Sequence, residues 1–232
     1  MSLRLFLSTL AFLVPMFAQA TKFYSRDQSY ICDPAALKGH DVLCCDTLPG
    51  KTCEETLDLL LTQKQRTFLQ DLTQAILDLP AYKTAMPSCF ATSVAIAGFP
   101  LKDPFAYDGD KQFRVILQTS YIETYDSHHL QKGDLLIFEE RGDYFDRDED
   151  EKGRKVFKWV SGSDLSHAMY YLGQGLVVQK ENASTAVSTV STLQRSFERY
   201  SQGVAETQDV GTLTYSHKKT RLYLRIFHPT DQ

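Results

Sequence analysis

The order of apolar and polar positions divides the chain into a helical part and a strand-rich part. Leu57, Leu60, Leu61, Phe68, Leu72, Ala75, Ile76 and Leu79 recur near helical spacing, which predicts a long helix from about 54 to 79 with one apolar face. Thr52, followed three residues later by Glu55, supplies a capping box at its start. Pro80 ends it, and Gln63-Lys64-Gln65 interrupts the stripe at a place for a break. Ser88 to Ala97 reads as a second, shorter and mostly apolar helix, opened by Pro87-Ser88 and stopped by Gly98 and Pro100. After it the periodicity changes. Leu135-Leu136-Ile137-Phe138 follows the turn Lys132-Gly133-Asp134 as a buried strand, and Val156 to Val160 reads as another. Leu213 to Tyr215 and Arg221 to Phe227 read as closing strands, the last alternating charged and apolar residues. Phe113 to Leu117 fits a strand or a short helix, Gln118 to Gln131 fits no single element, and Leu193 to Tyr200 fits a short helix.

The sharpest local signal is a hairpin, with apolar runs on both sides of Gly173-Gln174-Gly175. A two-residue turn at Gln174-Gly175 sets residue 179 opposite 170 and sends His167 to the other face of the sheet. A three-residue loop, with Gly175 left-handed and forming a bulge, sets 179 opposite 169. His167 and Gln179 then share a face as diagonal neighbours, about 7–8 Å apart. We take the second register, because it gives the histidine an amide to orient it. Between the strands, 139–155 crowds Asp143, Asp146, Asp148, Glu149, Asp150 and Glu151 together. That density predicts a solvated, mobile hairpin tip or a lid.

The N-terminus changes the picture. Met1-Ser2-Leu3-Arg4 is a short positive start, Leu5 to Phe17 is apolar apart from Ser8 and Thr9, and Ala18-Gln19-Ala20 is a small-x-small cleavage site. These predict a signal peptide over 1–20 and an exported protein, periplasmic or secreted. No later stretch is long and apolar enough to predict a membrane span once that peptide is cleaved. Cleavage leaves 24 basic against 29 acidic residues, net −5. No basic stripe appears, which argues against a nucleic-acid partner.

Export makes the five cysteines informative. Cys32, Cys44, Cys45 and Cys53 crowd into 21–53, an irregular segment with turns at Asp33-Pro34 and Leu48-Pro49-Gly50. In an oxidising compartment these four predict two disulfides. Adjacent Cys44 and Cys45 do not bond to each other, so Cys32 and Cys53 each take one of the pair, in either order. Cys89 is left over, in the first turn of the short helix, where backbone amides and the helix dipole favour a thiolate. With 232 residues, 43% of them hydrophobic, the chain suits one domain with a sizeable core, or one domain plus a small appendage. The division read from the sequence is a signal peptide (1–20), a cysteine-rich segment (21–53), a helical segment (54–80) and a main domain (81–232).

Cys89, His167 and Gln179 supply a nucleophile, a base and a neutral group to hold the imidazole tautomer. At this point the sequence resembles the NlpC/P60 family of papain-like cysteine peptidases. Gly133-Asp134-Leu135-Leu136-Ile137-Phe138 is similar to the family's Gly-Asp-Leu strand. Ser166-His167-Ala168-Met169-Tyr170-Tyr171-Leu172-Gly173-Gln174-Gly175 is similar to its Ser-His-Val-Gly-Ile-Tyr-Leu-Gly-Asn-Gly segment, and Ser88-Cys89 stands in the place of its Asp-Cys-Ser-Gly. The third catalytic position of the family falls at Gln179. The chain departs from the pattern in carrying Ser88 for the aspartate, Phe90-Ala91 for the small pair, and the acidic stretch before His167.

The resemblance implies an α+β, papain-like fold: a helix bearing Cys89 packed on an antiparallel sheet bearing His167 and Gln179, with the disulfide-stapled segment as an N-terminal extension. It implies a cysteine peptidase or amidase that cleaves amide bonds in peptidoglycan stem peptides and needs no cofactor or metal. Two other readings stand beside it. One is a catalytically silent binding or scaffold protein of the same fold. The other is an acyltransferase or protease acting on a substrate outside the cell wall.

Overall fold

The computed structural model describes residues 42–77, 88–99, 109–149, 152, 155–180, 187–202, 207–210, 213–216 and 218–230. The expected signal peptide, its cleavage site and Cys32 lie outside these residues. Two helices form where one interrupted helix was expected, because the sequence carries two caps. Helix α1 (Cys53–Leu60) starts on Thr52, whose hydroxyl accepts from the Glu55 N–H at 3.2 Å while the Glu55 carboxylate accepts from the Thr52 N–H at 2.8 Å. Leu61 turns extended, and Thr62 repeats the device with Gln65 at 3.2 and 2.9 Å. Helix α2 (Gln63–Leu77) follows. The polar triplet that interrupts the apolar stripe is therefore the first turn of a new helix.

Helix α3 (Cys89–Ile96) is capped by Ser88, whose hydroxyl accepts from the Ala91 N–H at 3.2 Å. Residues 113–117 fall within helix α4 (Gly109–Ser120), which resolves the two readings of that stretch in favour of helix. Strand β2 (Tyr121–Thr124) comes next, and a single 3-10 turn covers Ser127–His129.

The sheet has seven strands in the order β1-β6-β5-β4-β3-β9-β2. Its members are β1 (Val42–Cys44), β2, β3 (Leu135–Glu149), β4 (Lys155–Gly173), β5 (Leu176–Gln179), β6 (Ser188–Thr192) and β9 (Lys218–Pro229). β7 (Thr207–Val210) and β8 (Leu213–Ser216) pair separately. Helix α5 (Leu193–Gln202) runs directly from β6. Neighbours in the large sheet are antiparallel except β1, which joins β6 in parallel with Val42 opposite Ser188. The fold is thus α+β with a mixed sheet, not the antiparallel sheet expected, and part of the supposedly irregular 21–53 segment is a strand. Cys44 is bonded to Cys53. Cys45 is disulfide-bonded as well, its partner lying outside the described residues. Asp46 ties this segment to the end of β6, accepting from the Thr192 N–H at 2.8 Å and from both arms of the Arg195 guanidinium at 2.9 and 2.8 Å.

Residues 139–149 of the acidic stretch continue β3 and pair with β4 out to Glu149 and Lys155, so the stretch forms one arm of a long hairpin, as its hairpin character led us to expect. The register sets Asp146 opposite Lys158, Glu149 opposite Lys155 and, on the other side, Asp143 opposite Lys219.

Side chains alternate between two cores. Leu135, Ile137, Ala168, Tyr170, Leu172, Leu176 and Val178 face one cluster with Leu57, Leu60, Leu69, Val94, Ile96, Phe113 and Leu117 of the first four helices. Leu136, Phe138, Met169, Tyr171 and Val177 face the other, against which Leu193 and Tyr200 of α5 pack. Asp134 closes the start of β3. It is fully buried, accepts from the Gln131 N–H at 2.8 Å, and meets the His228 imidazole Nδ1 at 2.7 Å. Asp134→Ala would strand both partners, so we expect a loss of about 2–3 kcal/mol in denaturant unfolding, with Asp134→Asn losing less.

Candidate active site

The hairpin fixes the register of the site. Gln174 and Gly175 form a two-residue turn, with φ of 54° and 79°, the left-handed pair of a type I′ turn. A bulge on the β4 side then shifts the ladder: Gly173 pairs with Leu176, but Tyr171 pairs with Val177 and Tyr170 with Val178. Residue 179 therefore continues opposite 169, the register expected, though two residues make the turn and the bulge lies near Leu172. A second bulge lies just before His167. Phe138 pairs with His167 and Glu139 with Leu165, leaving Ser166 as the extra residue, its hydroxyl donating to the Phe138 carbonyl at 3.1 Å. Bulges of this kind re-aim side chains next to functional sites. Here Leu165 turns toward the helical core while Phe138 and His167 face α5.

On that face His167 and Gln179 meet directly, Nε2 to Oε1 at 2.7 Å, and both are buried. The Gln179 amide nitrogen donates to the Ser191 hydroxyl at 3.1 Å and to the Ser196 hydroxyl at 2.9 Å, and these hydroxyls lie 2.9 Å apart. In this arrangement the amide oxygen faces the ring, so Nε2 carries the proton and Nδ1 is the basic nitrogen. Nδ1 meets the Tyr200 hydroxyl at 2.8 Å, and the two rings stack with centroids 4.2 Å apart. As the acceptor, Nδ1 receives the tyrosine proton. Phe138 packs against both rings, 6.3 Å from His167 and 5.4 Å from Tyr200.

Electrostatics follow from burial. His167 is 1% exposed. Desolvation pushes its pKa down to about 3, against a smaller upward pull from the Gln179 hydrogen bond and with a further push down from the Arg199 charge. The ring is therefore neutral at neutral pH. Lys180, the residue after Gln179, is completely buried. Burial lowers its pKa to about 8, and the negative charge of a Cys89 thiolate works in the opposite direction. Burial, and after it the Cys89 charge, push the Tyr200 hydroxyl above its ordinary value.

Cys89 is the first residue of α3 and is nearly buried. α3 lies against β4 and β5. Its Val94 and Ile96 enter the helical core, on the face opposite His167. A negative charge on Cys89 raises the pKa of both Lys180 and Tyr200. Beside Cys89, Phe90 helps line a recess of about 30 Å³ with Phe113, Arg114, Asp164 and Leu165, room for about one water. The described residues hold no cluster of His, Cys, Asp and Glu suited to a metal ion.

Lys180, Ser191, Ser196 and Tyr200 were not singled out in the sequence. The β-branched residues Thr189, Val190 and Thr192 of Ser188–Thr192 are a strand signal that could have placed Ser191 beside the hairpin. Comparison of the chain with protein-family models, with curated proteins and with solved structures finds no match.

Proposed function

We propose that the protein is an exported cysteine hydrolase of NlpC/P60-like, papain-like design that cleaves amide bonds in peptidoglycan stem peptides. The observation that carries this reading is the His167–Gln179 hydrogen bond at 2.7 Å, with Gln179 itself held by Ser191 and Ser196. A histidine locked with Nε2–H on a neutral acceptor and Nδ1 basic is what a Cys–His nucleophile requires. In this reading Cys89 attacks the scissile carbonyl. The thiol proton ends on Nδ1 of His167 and later leaves with the amine. Gln179 holds the ring, and the backbone N–H of Cys89 is an oxyanion donor at the helix N-terminus. Lys180 carries its charge at neutral pH, because its pKa of about 8 lies above it. The Lys180 and Cys89 charges act on each other, and a buried ammonium favours the thiolate over the thiol. A weakly basic His167 is then sufficient as proton acceptor.

The depth of His167 favours a second reading, a catalytically silent binding or scaffold protein: the ring is buried and both its nitrogens are engaged. Digestion of purified muropeptides by the mature, oxidised protein separates the two. Hydrolase activity predicts new amine termini from the wild type and at least about a thousandfold less from Cys89→Ala. Equal, negligible release from both proteins, with labelled muropeptide still bound, sinks the hydrolase in favour of the scaffold. Turnover of an acyl donor or protein substrate but of no muropeptide moves the substrate outside the wall.

A further inference from the structure

Asp46 connects the cysteine-rich segment to the elements that hold His167 and Gln179. β1 runs beside β6 with Cys44 opposite Val190, and the Cys45 N–H donates to the Val190 carbonyl at 2.7 Å. Asp46 comes next, at the junction where β6 becomes α5. Its carboxylate accepts from the Thr192 N–H at 2.8 Å and from both arms of the Arg195 guanidinium at 2.9 and 2.8 Å. A simple surface ion pair holds little. This one is bidentate and also takes a backbone N–H, so it fixes direction as well as distance. The Cys44–Cys53 disulfide ties the segment to the start of α1, and so sets where the carboxylate stands.

The His167–Gln179 pair is gripped from both sides of that junction. Ser191 on β6 and Ser196 on α5 accept from the Gln179 amide nitrogen at 3.1 and 2.9 Å, and Tyr200 on α5 meets Nδ1 of His167 at 2.8 Å. Ser196 and Tyr200 stand one turn apart, so one helix face bears on both ends of the pair. The start of α5 has a further tie, from the Leu193 N–H to the Gly175 carbonyl at 2.9 Å.

We propose that Asp46 is a positioning residue for the His167–Gln179 pair, acting through α5. Its consequence for catalysis rests on the Cys–His reading above; its effect on the ring rests on the hydrogen bonds alone. The Leu193 tie by itself lets the helix turn about one point, and the Asp46 clamp on Thr192 and Arg195 stops that turn. Without the carboxylate, Ser196 and Tyr200 draw away together, the Gln179 amide loses its fixed orientation, and the ring samples both tautomers. The cysteine-rich segment is then a support of the site rather than an appendage.

The test reads His167 directly, in mature, oxidised protein carrying isotope-labelled histidine. Long-range proton–nitrogen spectra at neutral pH report which ring nitrogen holds the proton, and the His167 signals are assigned by their loss in His167→Gln. Wild type should show Nε2–H and a bare Nδ1. Asp46→Ala should draw the two nitrogen resonances toward each other, and Asp46→Asn, which keeps an acceptor for Thr192, should fall between. On muropeptides, below the melting temperature, kcat of Asp46→Ala should drop by about ten- to a hundredfold with KM changed less than about twofold. If Asp46→Ala melts lower but keeps the wild-type ring resonances, Asp46 only stabilises the fold and its positioning role is overturned. Should Asp46→Ala not fold, Arg195→Met leaves the Thr192 N–H its acceptor and is judged the same way: unmoved resonances overturn the role. Resonances that move while even the wild type cleaves no muropeptide uphold the role of Asp46 and overturn the hydrolase instead.

Discussion

Lys180→Met should slow alkylation of Cys89 by about tenfold or more at pH 7, the scale on which an opposite charge at close range biases a titrating neighbour. The same substitution should leave the melting temperature unchanged or higher. A lysine with no exposed surface bears a desolvation penalty, which is why its pKa falls to about 8. Methionine fills similar space without that penalty. Reactivity down with stability level or up separates a functional lysine from a structural one, whose loss would lower both. The pH dependence has a fixed direction. Lys180 keeps its charge below about pH 8 and loses it above, so wild type and Lys180→Met should differ most below pH 8 and converge as pH rises past it. Labelling rates that are equal at pH 7 would remove Lys180 from the site.

Acid should unfold the protein early, through His167. In the unfolded chain this histidine titrates near 6.5, and in the folded protein burial holds it at about 3. Between those values the unfolded state binds more protons, so stability is greatest above about 6.5 and falls as pH drops toward 3. The loss should reach about 2–3 kcal/mol by pH 4.5 and approach about 4–5 kcal/mol at the acid end. Asp46 and Glu139, both held below their ordinary carboxylate values, add their own losses only at lower pH. The window from 6.5 to 4.5 therefore isolates the histidine. Urea midpoints across that window should slope for wild type and flatten for His167→Gln. Parallel slopes in the two proteins would mean that the ring takes up a proton without leaving its place.

Much of the site's strand geometry was legible because it is local. Alternation along 164–179 and two glycines around one turn carry the register that brings Gln179 to His167, and the helix start at Ser88 carries the position of Cys89. What escaped depends on contacts far apart in sequence. Tyr200 lies 33 residues beyond His167, and nothing in the pattern around it fixes the face α5 turns to the sheet. Lys180 looks like a polar stop to an apolar strand, since sequence alone does not report that its amine is buried. Thr62-Gln65 was open to view as a cap but was hidden by reading one long stripe. The hairpin at the acidic segment was legible too, but the length of its paired arms, out to Glu149 and Lys155, depends on a cross-strand register that charge density does not report.

The strand order bears on when the molecule can fold. β3 lies between β4 and β9, while β1 pairs with β6, some 146 residues away from Val42 at Ser188. A chain emerging from the ribosome therefore holds α1, α2 and α3 long before it has the strands that cover them. Pairings of such sequence separation form slowly. Until residues near 229 exist, β2 and one side of β3 have no neighbour. The topology thus leaves β2 and that side of β3 unpaired until the last strand has been made, so the sheet closes only when the chain is nearly complete.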